Sequence, residues 1–351
     1  MPETTSGWQG VAIPYYLTAG VREHLGEIAE LAPRPESLAA EGVVLLPEPA
    51  TMTDALRQIT IRAYKYRFGG KTILLVRIPG FTTPLNNLAA HVGWLAALLR
   101  DNLAPAPTDG AALPLAEAPP DVLVIDVSHN PGGSVPYVQG LASLFTTKPI
   151  PNQVFAMRAN RSRIATLVAT VNGGNPEARA LVEPRLVAAE AAFDRGDALT
   201  PFSPMSGTFL GPRFPFTGAN QAGTDMLRPH PSVQWNKPIL VLHDELSGSG
   251  GDAFPDILKD AGVAKTFGAR TAGMGGPRGN FRLPRSGGDL SLTLGLFGTF
   301  KPDGSPVDLV ENEGVVPDFP YEVSVNDLRF GYVGMVSAFS TIATTLVHPT
   351  P

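Results

Sequence analysis

The sequence predicts an α/β fold with a parallel or mixed sheet and flanking helices. Two segments of similar pattern carry this prediction, and each consists of an apolar strand, a glycine-rich turn and a helix. The first contains VLVID (Val122 to Asp126) and the turn VSHNPGGS, and the second contains ILVLHDE (Ile239 to Glu245) and the turn LSGSGGD. A third apolar run, TILLVRI from Thr72, is typical of a strand that is covered on both faces.

The first 65 residues have a weaker pattern than the rest. They contain a short apolar run from Val11 to Leu17, a helix-like stretch from Val21 to Leu31 and several prolines. We therefore interpret residues 1–65 as an N-terminal segment that precedes a core domain of residues 66–351.

Several helices and strands are predicted inside this core. Apolar spacing of three and four from Leu88 to Leu99 predicts an amphipathic helix, and a proline- and alanine-rich loop follows at 104–120. A helix stopped by Gly262 follows the second turn. The other predicted elements are a helix with Val135, Val138, Leu141 and Leu144 on one face, a helix from Glu177 to Phe193 that contains Pro184, strands in AKTFGAR and LSLTLGLFGTF, and a last helix from Val325 to Leu346.

Composition excludes several functional classes. The 351 residues are 43% hydrophobic and carry a net charge of −5 with no Lys/Arg block, so we expect neither a nucleic-acid partner nor an anionic membrane partner. There is no cysteine, hence no disulfide, thiol nucleophile or Cys-based metal site. The sequence shows neither a signal-peptide pattern nor an apolar run long enough to span a membrane, and it implies no metal and no organic cofactor.

The turn SGSGGD (residues 247–252) has the composition that a nucleophilic serine requires. Its small residues would expose the Ser249 hydroxyl at the start of a helix and leave backbone N–H groups nearby to stabilise an oxyanion. A solvated Gly/Ser loop is the ordinary alternative. Gly248, Gly250 and Ala253 also satisfy a dinucleotide-binding fingerprint, but Arg270 lies where the acidic ribose-binding residue of that fingerprint is expected.

The other turn, NPGG (Asn130 to Gly133), also follows a strand. Its proline fixes one dihedral angle, and its two glycines permit a conformation in which their N–H groups are free to contact a ligand. Such a turn suits an oxyanion hole, although an ordinary tight turn has the same composition. A catalytic role requires the two turns to lie side by side.

Taken together, these segments resemble the tail-specific, C-terminal-processing serine peptidases, and among them the chlamydial protease-like activity factor group. The segments that carry the resemblance are VLVIDVSHNPGGS, PHPSVQWNKPILVLHDELSGSGGDAFPDILKDAGVAKTFGARTAGMGG and VENEGVVPDF, which occur in the family order between about residues 70 and 335. The resemblance implies a ClpP/crotonase-like superhelix of β-β-α units, with a mixed, largely parallel sheet and flanking helices. It further implies serine-type endopeptidase activity on a polypeptide substrate, and relatives often act outside the cytoplasm.

The resemblance also assigns roles to individual residues. It makes Ser249 the nucleophile, places the amides of Gly132, Gly133 and Gly250 at the oxyanion site, and makes Glu311 the carboxylate that orients a general-base histidine. Asp318 is interpreted as a residue that closes a loop. Many tail-specific peptidases instead pair the serine with a lysine in a GKG turn, but the corresponding turn here is Gly273-Met274-Gly275, and methionine cannot accept a proton.

The general base is the unresolved part of the predicted site. The family histidine lies in an N-terminal half, and none of the six histidines of this chain is at a family position: His24, His91, His129, His230, His243 and His348. His129 and His243 lie near the two turns in sequence, but the structural interpretation is favoured for both. Three interpretations follow: a fragment of a longer peptidase, a subunit completed by a second copy of the chain or by a histidine-bearing N-terminal domain or chain, and a non-catalytic peptide-binding pseudo-peptidase or scaffold.

Overall fold

The structure is a computed structural model that describes fourteen stretches of the chain. They are residues 43–46, 61–82, 88–103, 113–150, 153–174, 176–204, 213–215, 220–222, 227–233, 235–276, 278–283, 289–299, 308–330 and 332–347. The two elements predicted before residue 32, residues 104–112 of the predicted loop, His24 and His348 lie outside the described residues.

The largest sheet has seven strands in the order β1-β2-β3-β4-β9-β10-β15. Strand β2 is antiparallel to its neighbours β1 and β3, and the remaining pairings of this sheet, from β3 through to β15, are parallel. Its strands are β1 (Val43–Leu45), β2 (Arg62–Phe68), β3 (Lys71–Arg77), β4 (Val122–Asp126), β9 (Ile239–His243), β10 (Lys265–Gly268) and β15 (Phe319–Pro320). The prediction of a mixed, largely parallel sheet with flanking helices is therefore confirmed.

Helices cover both faces of this sheet, which explains why its central strands are apolar throughout. Alternate residues such as Ile125 and Val241 pack against the helices of one face, and Val124 and Leu242 pack against the other. The first face is covered by α1 (Leu88–Asn102), α2 (Val135–Ala142, continued by a 3₁₀ turn, Ser143–Phe145) and α5 (Gly250–Asp260), and the second by α7 (Val333–Thr345).

A second sheet of four strands lies beside the first sheet and carries a pair of helices. The strand order is β14-β13-β5-β6, and all three pairings are antiparallel. The strands are β5 (Gln153–Met157), β6 (Ser203–Pro204), β13 (Gly295–Thr299) and β14 (Asp308–Leu309), and the helices are α3 (Arg161–Gly173) and α4 (Pro176–Asp194), which contains Pro184 as predicted. Two separate hairpins are formed by β7 (Arg213–Pro215) with β8 (Asn220–Ala222) and by β11 (Arg278–Arg282) with β12 (Asp289–Thr293).

The structure differs from the sequence prediction at two places. The boundary between residues 65 and 66 falls within β2, which pairs with β3 from Arg62 to Phe68, so the core sheet begins before residue 66. The predicted last helix is two helices, α6 (Val325–Arg329) and α7. Tyr332 has a left-handed backbone (φ 65°) between them, and the Asp327 carboxylate accepts the N–H groups of Ser324 at 2.9 Å and Met335 at 2.8 Å.

Candidate active site

Ser249 lies on a sharp turn between β9 and α5. Its backbone has φ 55° and ψ −111°, a conformation that is rare for a residue with a side chain and that recurs at functional sites. The residue is partly exposed, whereas its neighbours Gly248 and Gly250 are buried. Among the described residues, the Ser249 hydroxyl has no hydrogen-bond partner and does not cap α5. The turn therefore presents a free hydroxyl at the N-terminal end of a helix, where the helix dipole favours negative charge.

The Ser249 turn (residues 247–252) and the Asn130 turn (residues 130–133) are in direct contact. Gly248 donates its N–H to the Asn130 carbonyl at 2.9 Å. A Cβ atom added to Gly132 would lie 2.5 Å from the Gly250 nitrogen and 2.5 Å from the Ser249 Cβ. Only glycine fits at this approach, and the close packing satisfies the requirement that the two turns lie side by side.

The amides predicted to form the oxyanion site are not equivalent. Gly132, with φ 95°, donates its N–H to the Asn130 Oδ1 at 2.8 Å, which corrects the expectation that both glycine N–H groups of this turn are free. Within the described part of the chain, no protein acceptor receives the N–H groups of Gly133 and Gly250. These two amides remain available to a ligand.

Asn130 fixes the geometry of both turns, a role that its position in the NPGG motif did not reveal. Its side chain is fully buried, and its Nδ2 donates to the Ile78 carbonyl at 2.9 Å while its Oδ1 accepts from Gly132. Its own carbonyl accepts from Gly248. The Asn130 carbonyl thus holds the Ser249 turn, while the Asn130 side chain fixes its own turn against the end of β3.

Asp252 connects α5 to the loop that follows β10. Its carboxylate accepts the N–H groups of Gly273 at 2.8 Å and Met274 at 3.1 Å, and burial raises its pKa. Met274 is 53% exposed, and its Cε would lie 3.1 Å from a Cβ atom added to Gly248. Met274, which corresponds to the lysine of a GKG turn, therefore lies beside the Ser249 turn, but its side chain has no titratable group.

Glu311 is buried behind the same loop. Its Oε2 accepts the N–H of Gly276, and burial followed by the nearby Asp252 carboxylate accounts for its raised pKa. The next residue, Asn312, donates its N–H to the Gly273 carbonyl at 2.8 Å. Glu311 thus reaches the Ser249 turn through the loop of residues 273–276, with one carboxylate oxygen already committed to that loop.

Each described histidine is engaged away from Ser249. His129 pairs with Asp244, and His91 contacts the Tyr137 hydroxyl at 3.2 Å. His230 contacts the Ser232 hydroxyl at 2.9 Å. His243 bonds the Ala269 carbonyl at 2.8 Å, and burial lowers its pKa to about 4. The described residues therefore bring no imidazole to the Ser249 hydroxyl.

Asp318 has the loop-closing role that the sequence predicts. Its Oδ2 accepts both the N–H of Thr266, at 2.9 Å, and the Thr266 hydroxyl, at 3.1 Å. These bonds tie the start of β10 to the segment before β15.

Comparison with known proteins identifies the family. The sequence model of peptidase family S41 matches residues 106–321. An uncharacterized protein of Chlamydia muridarum is 30% identical over 274 residues, which are 73% of this chain and 44% of that protein. A protein of Chlamydia pneumoniae is 31% identical over 238 residues, 64% of this chain and 37% of its own length. The chain thus spans less than half the length of these curated relatives.

Two solved structures share the fold. A crystal structure of mature CPAF superposes with a TM-score of 0.57 at 22% identity, over 82% of this chain and 54% of that chain. A structure of mature CPAF complexed with lactacystin gives a TM-score of 0.59 at 19% identity, over 99% of this chain and 61% of that one. In the described residues of the present chain, no helix is both long and apolar enough to cross a membrane.

Proposed function

Because the chain belongs to peptidase family S41, we propose that it carries the nucleophile and oxyanion half of a serine-type endopeptidase, with Ser249 as the nucleophile. The observation that supports this most directly is the contact between the two turns. The partly exposed Ser249 hydroxyl adjoins Gly250, whose N–H has no protein acceptor in the described part of the chain, and the contacting Asn130 turn carries a second such N–H at Gly133.

In the proposed reaction the Ser249 Oγ attacks the scissile carbonyl carbon and transfers its proton to a histidine base. The carbonyl oxygen becomes an oxyanion, which the N–H groups of Gly133 and Gly250 stabilise, while Gly132 shapes the turn through its bond to Asn130. Collapse of this intermediate breaks the C–N bond, protonates the leaving amine and gives an acyl-enzyme, which water then hydrolyses.

The histidine in this proposal comes from outside the described residues, from another segment, domain or chain. Glu311 would orient it through the carboxylate oxygen that does not bind Gly276. Loss of the base from a serine triad lowers turnover by about 10⁶, while the oxyanion hole and substrate binding retain about 10³ to 10⁴ over water. The chain without that histidine should therefore react slowly with substrates but still react with strong serine-directed electrophiles.

A fluorophosphonate probe tests the proposal. We expect the wild-type chain to be labelled at Ser249, and labelling to disappear in Ser249→Ala while the fold, followed by circular dichroism, is retained. Ser134→Ala is the matched control, because Ser134 follows the Asn130 turn, is partly buried and makes no side-chain cap bond, so it should be labelled like the wild type.

The opposite results favour a pseudo-peptidase. A folded wild-type chain that the probe does not label, or labelling that survives in Ser249→Ala, would contradict a nucleophilic Ser249. Lactacystin, which is bound in one structure of mature CPAF, provides a second probe, and we expect it to slow the fluorophosphonate reaction of this chain.

A further inference from the structure

A small cavity lies between the helical pair α3 and α4 and the second sheet. Its volume is about 140 Å³, and most of its wall is apolar. Phe155 and Met157 of β5, Leu167 of α3, Ala189 of α4 and Phe202 form this wall. The cavity is separate from the Ser249 turn, none of whose residues lines it.

Two arginines enter this apolar cavity, one from each helix. Arg185 packs its guanidinium over the Phe155 ring, 4.5 Å from the ring centre, and donates to the Pro204 carbonyl at 2.5 Å. Arg163 has a buried Nε that no acceptor among the described residues satisfies. The described residues that line the cavity include no aspartate or glutamate. Two cationic groups thus border an apolar cavity, and the buried Nε of Arg163 has no acceptor among the described residues.

The backbone adds to this positive potential. Arg163 lies in the first turn of α3, where the helix dipole is positive and acidic residues are preferred, yet this turn contains no acidic residue. Burial lowers the pKa of Arg163, and burial together with the nearby Arg163 lowers the pKa of Arg185 to about 10. Both guanidiniums thus lie in a setting that disfavours their charge, and the buried Nε of Arg163 is a donor that a bound anion would satisfy.

We propose that the arginine pocket, defined by Arg163, Arg185 and the apolar wall around Phe155, binds an apolar group that carries a carboxylate. Arginine presents a planar fork of donors that matches a carboxylate. The volume is smaller than that of common ligand pockets, which is about 300 Å³ or more, and suits a single side chain or ring. Since the apolar wall and the guanidiniums border the same small space, the apolar group and the carboxylate must be only a few bonds apart.

Two sources offer this chemistry: a small free carboxylic acid, and the last residue of a polypeptide, in which the side chain and the carboxylate share one carbon. The pocket does not depend on Ser249. Binding is therefore measured by calorimetry on the full chain as wild type and as Ser249→Ala, so that failure of the pocket and failure of the proposed nucleophile give separate results.

The probes are 3-phenylpropanoate, N-acetyl-L-phenylalanine, N-acetyl-L-phenylalaninamide and a ten-residue peptide that ends in phenylalanine. We expect the acids to bind and the amide to bind about tenfold more weakly, because the charged hydrogen bonds are lost. Tighter binding of the peptide than of the free acid assigns the site to polypeptide ends, and the reverse order assigns it to a small acid. Equal binding of acid and amide, or no binding of any acid at millimolar concentration, would overturn the proposal.

Two variants locate the binding site. Arg163→Met keeps a long apolar side chain but removes the charge, and should weaken acid binding about tenfold. Arg161→Met is the matched control, since Arg161 lies in the same turn of α3 but packs over the Phe193 ring at 6.0 Å instead of lining the cavity. If Arg163→Met does not fold, Ala188→Leu fills the cavity and should also abolish binding. Unchanged binding in the folded variants would place the ligand elsewhere.

Discussion

Two regions of the molecule, the pair of contacting turns at Ser249 and Asn130 and the arginine pocket, are built in opposite ways. At the turns, backbone groups meet at distances that only glycine permits, and a buried asparagine uses its side-chain amide and its carbonyl to hold them. In the pocket, side chains form the wall, and the two arginines that line it include a buried Nε of Arg163 with no acceptor among the described residues. The turns are fixed without a ligand, as the proposed oxyanion role requires, whereas the pocket keeps a buried donor that only the proposed anion would satisfy.

The largest effect is expected from a methyl group added where the two turns meet. In Gly132→Ala the new Cβ would collide with the Gly250 nitrogen and the Ser249 Cβ, and the residue would keep an unfavourable φ of 95°. We expect a loss of about 3–5 kcal/mol in the free energy of unfolding, because backbone must move at a buried site. The rate of fluorophosphonate labelling should fall by about 10² or more, since one oxyanion donor is displaced. Urea unfolding and labelling kinetics measure the two effects.

Gly196→Ala is the control that distinguishes the steric collision of a new Cβ atom from the strain of a positive φ angle. Gly196 has φ 77°, and a Cβ atom there meets nothing within 4 Å. This variant should lose only about 1 kcal/mol of stability and keep the wild-type labelling rate. Similar losses in both variants would show that the contact between the turns is not what makes Gly132 necessary.

A second prediction concerns the pH dependence of stability, which follows from the carboxyl group of Asp256 in α5. Asp256 is buried in α5 and accepts a hydrogen bond from the Thr299 hydroxyl. Burial and then the neighbouring Asp260 and Asp308 carboxylates raise its pKa from 3.8 to about 8. Because the folded state holds this proton more tightly than the unfolded chain, stability should decrease as the pH rises from about 4 to 8.

Asp256→Asn tests this dependence, since the amide keeps an acceptor for Thr299 but cannot ionise. We expect the variant to exceed the wild type in free energy of unfolding at pH 8 by on the order of 3 kcal/mol, and the difference to vanish towards pH 4. Urea unfolding from pH 4 to 9 measures it.

Asp260→Asn provides a related test, because Asp260 is one of the carboxylates beside Asp256. Loss of the Asp260 charge removes one of the causes that raise the pKa of Asp256, so Asp256 ionises at lower pH in the folded protein. The upper end of the stability decrease should therefore move down in Asp260→Asn. Parallel pH profiles for wild type and Asp256→Asn would contradict a buried, neutral Asp256.

The parts of the fold that the sequence predicted well are those in which neighbouring residues determine the structure. The run from Val122 to Asp126 is apolar because helices cover both faces of β4, and the glycines after it end the strand in a turn. The last helix was predicted as one element because its apolar spacing continues past residue 330. The break depends on the bonds of Asp327 to Ser324 and Met335, which spacing alone does not reveal.

The site was predicted in part for the same reason. Ser249 and the glycines stand out in two short motifs, but the use of the Gly132 amide by Asn130 depends on the folded turn. The Asp252 carboxylate reaches Gly273, 21 residues away in sequence. The arginine pocket is harder still to predict, because Arg163 and Arg185 lie on different helices and only their packing against β5 brings them together.

The smallest expected effect concerns the unliganded pocket. If the role of Arg163 is to bind an anion, the variant Arg163→Met should be more stable than the wild type in the absence of a ligand. The substitution ends the repulsion with Arg185 and removes a cation from the first turn of α3. We expect a gain of about 0.5–1 kcal/mol in the free energy of unfolding, measured by urea denaturation. Arg161→Met removes a cation from the same turn without relieving Arg185, so it should gain less, and added salt should reduce its gain further because exposed charges are screened. A loss of stability in Arg163→Met would mean that this guanidinium already stabilises the protein without a ligand. The contrast between the turns, which are fixed without a ligand, and the pocket, which has an unsatisfied donor, would then not hold.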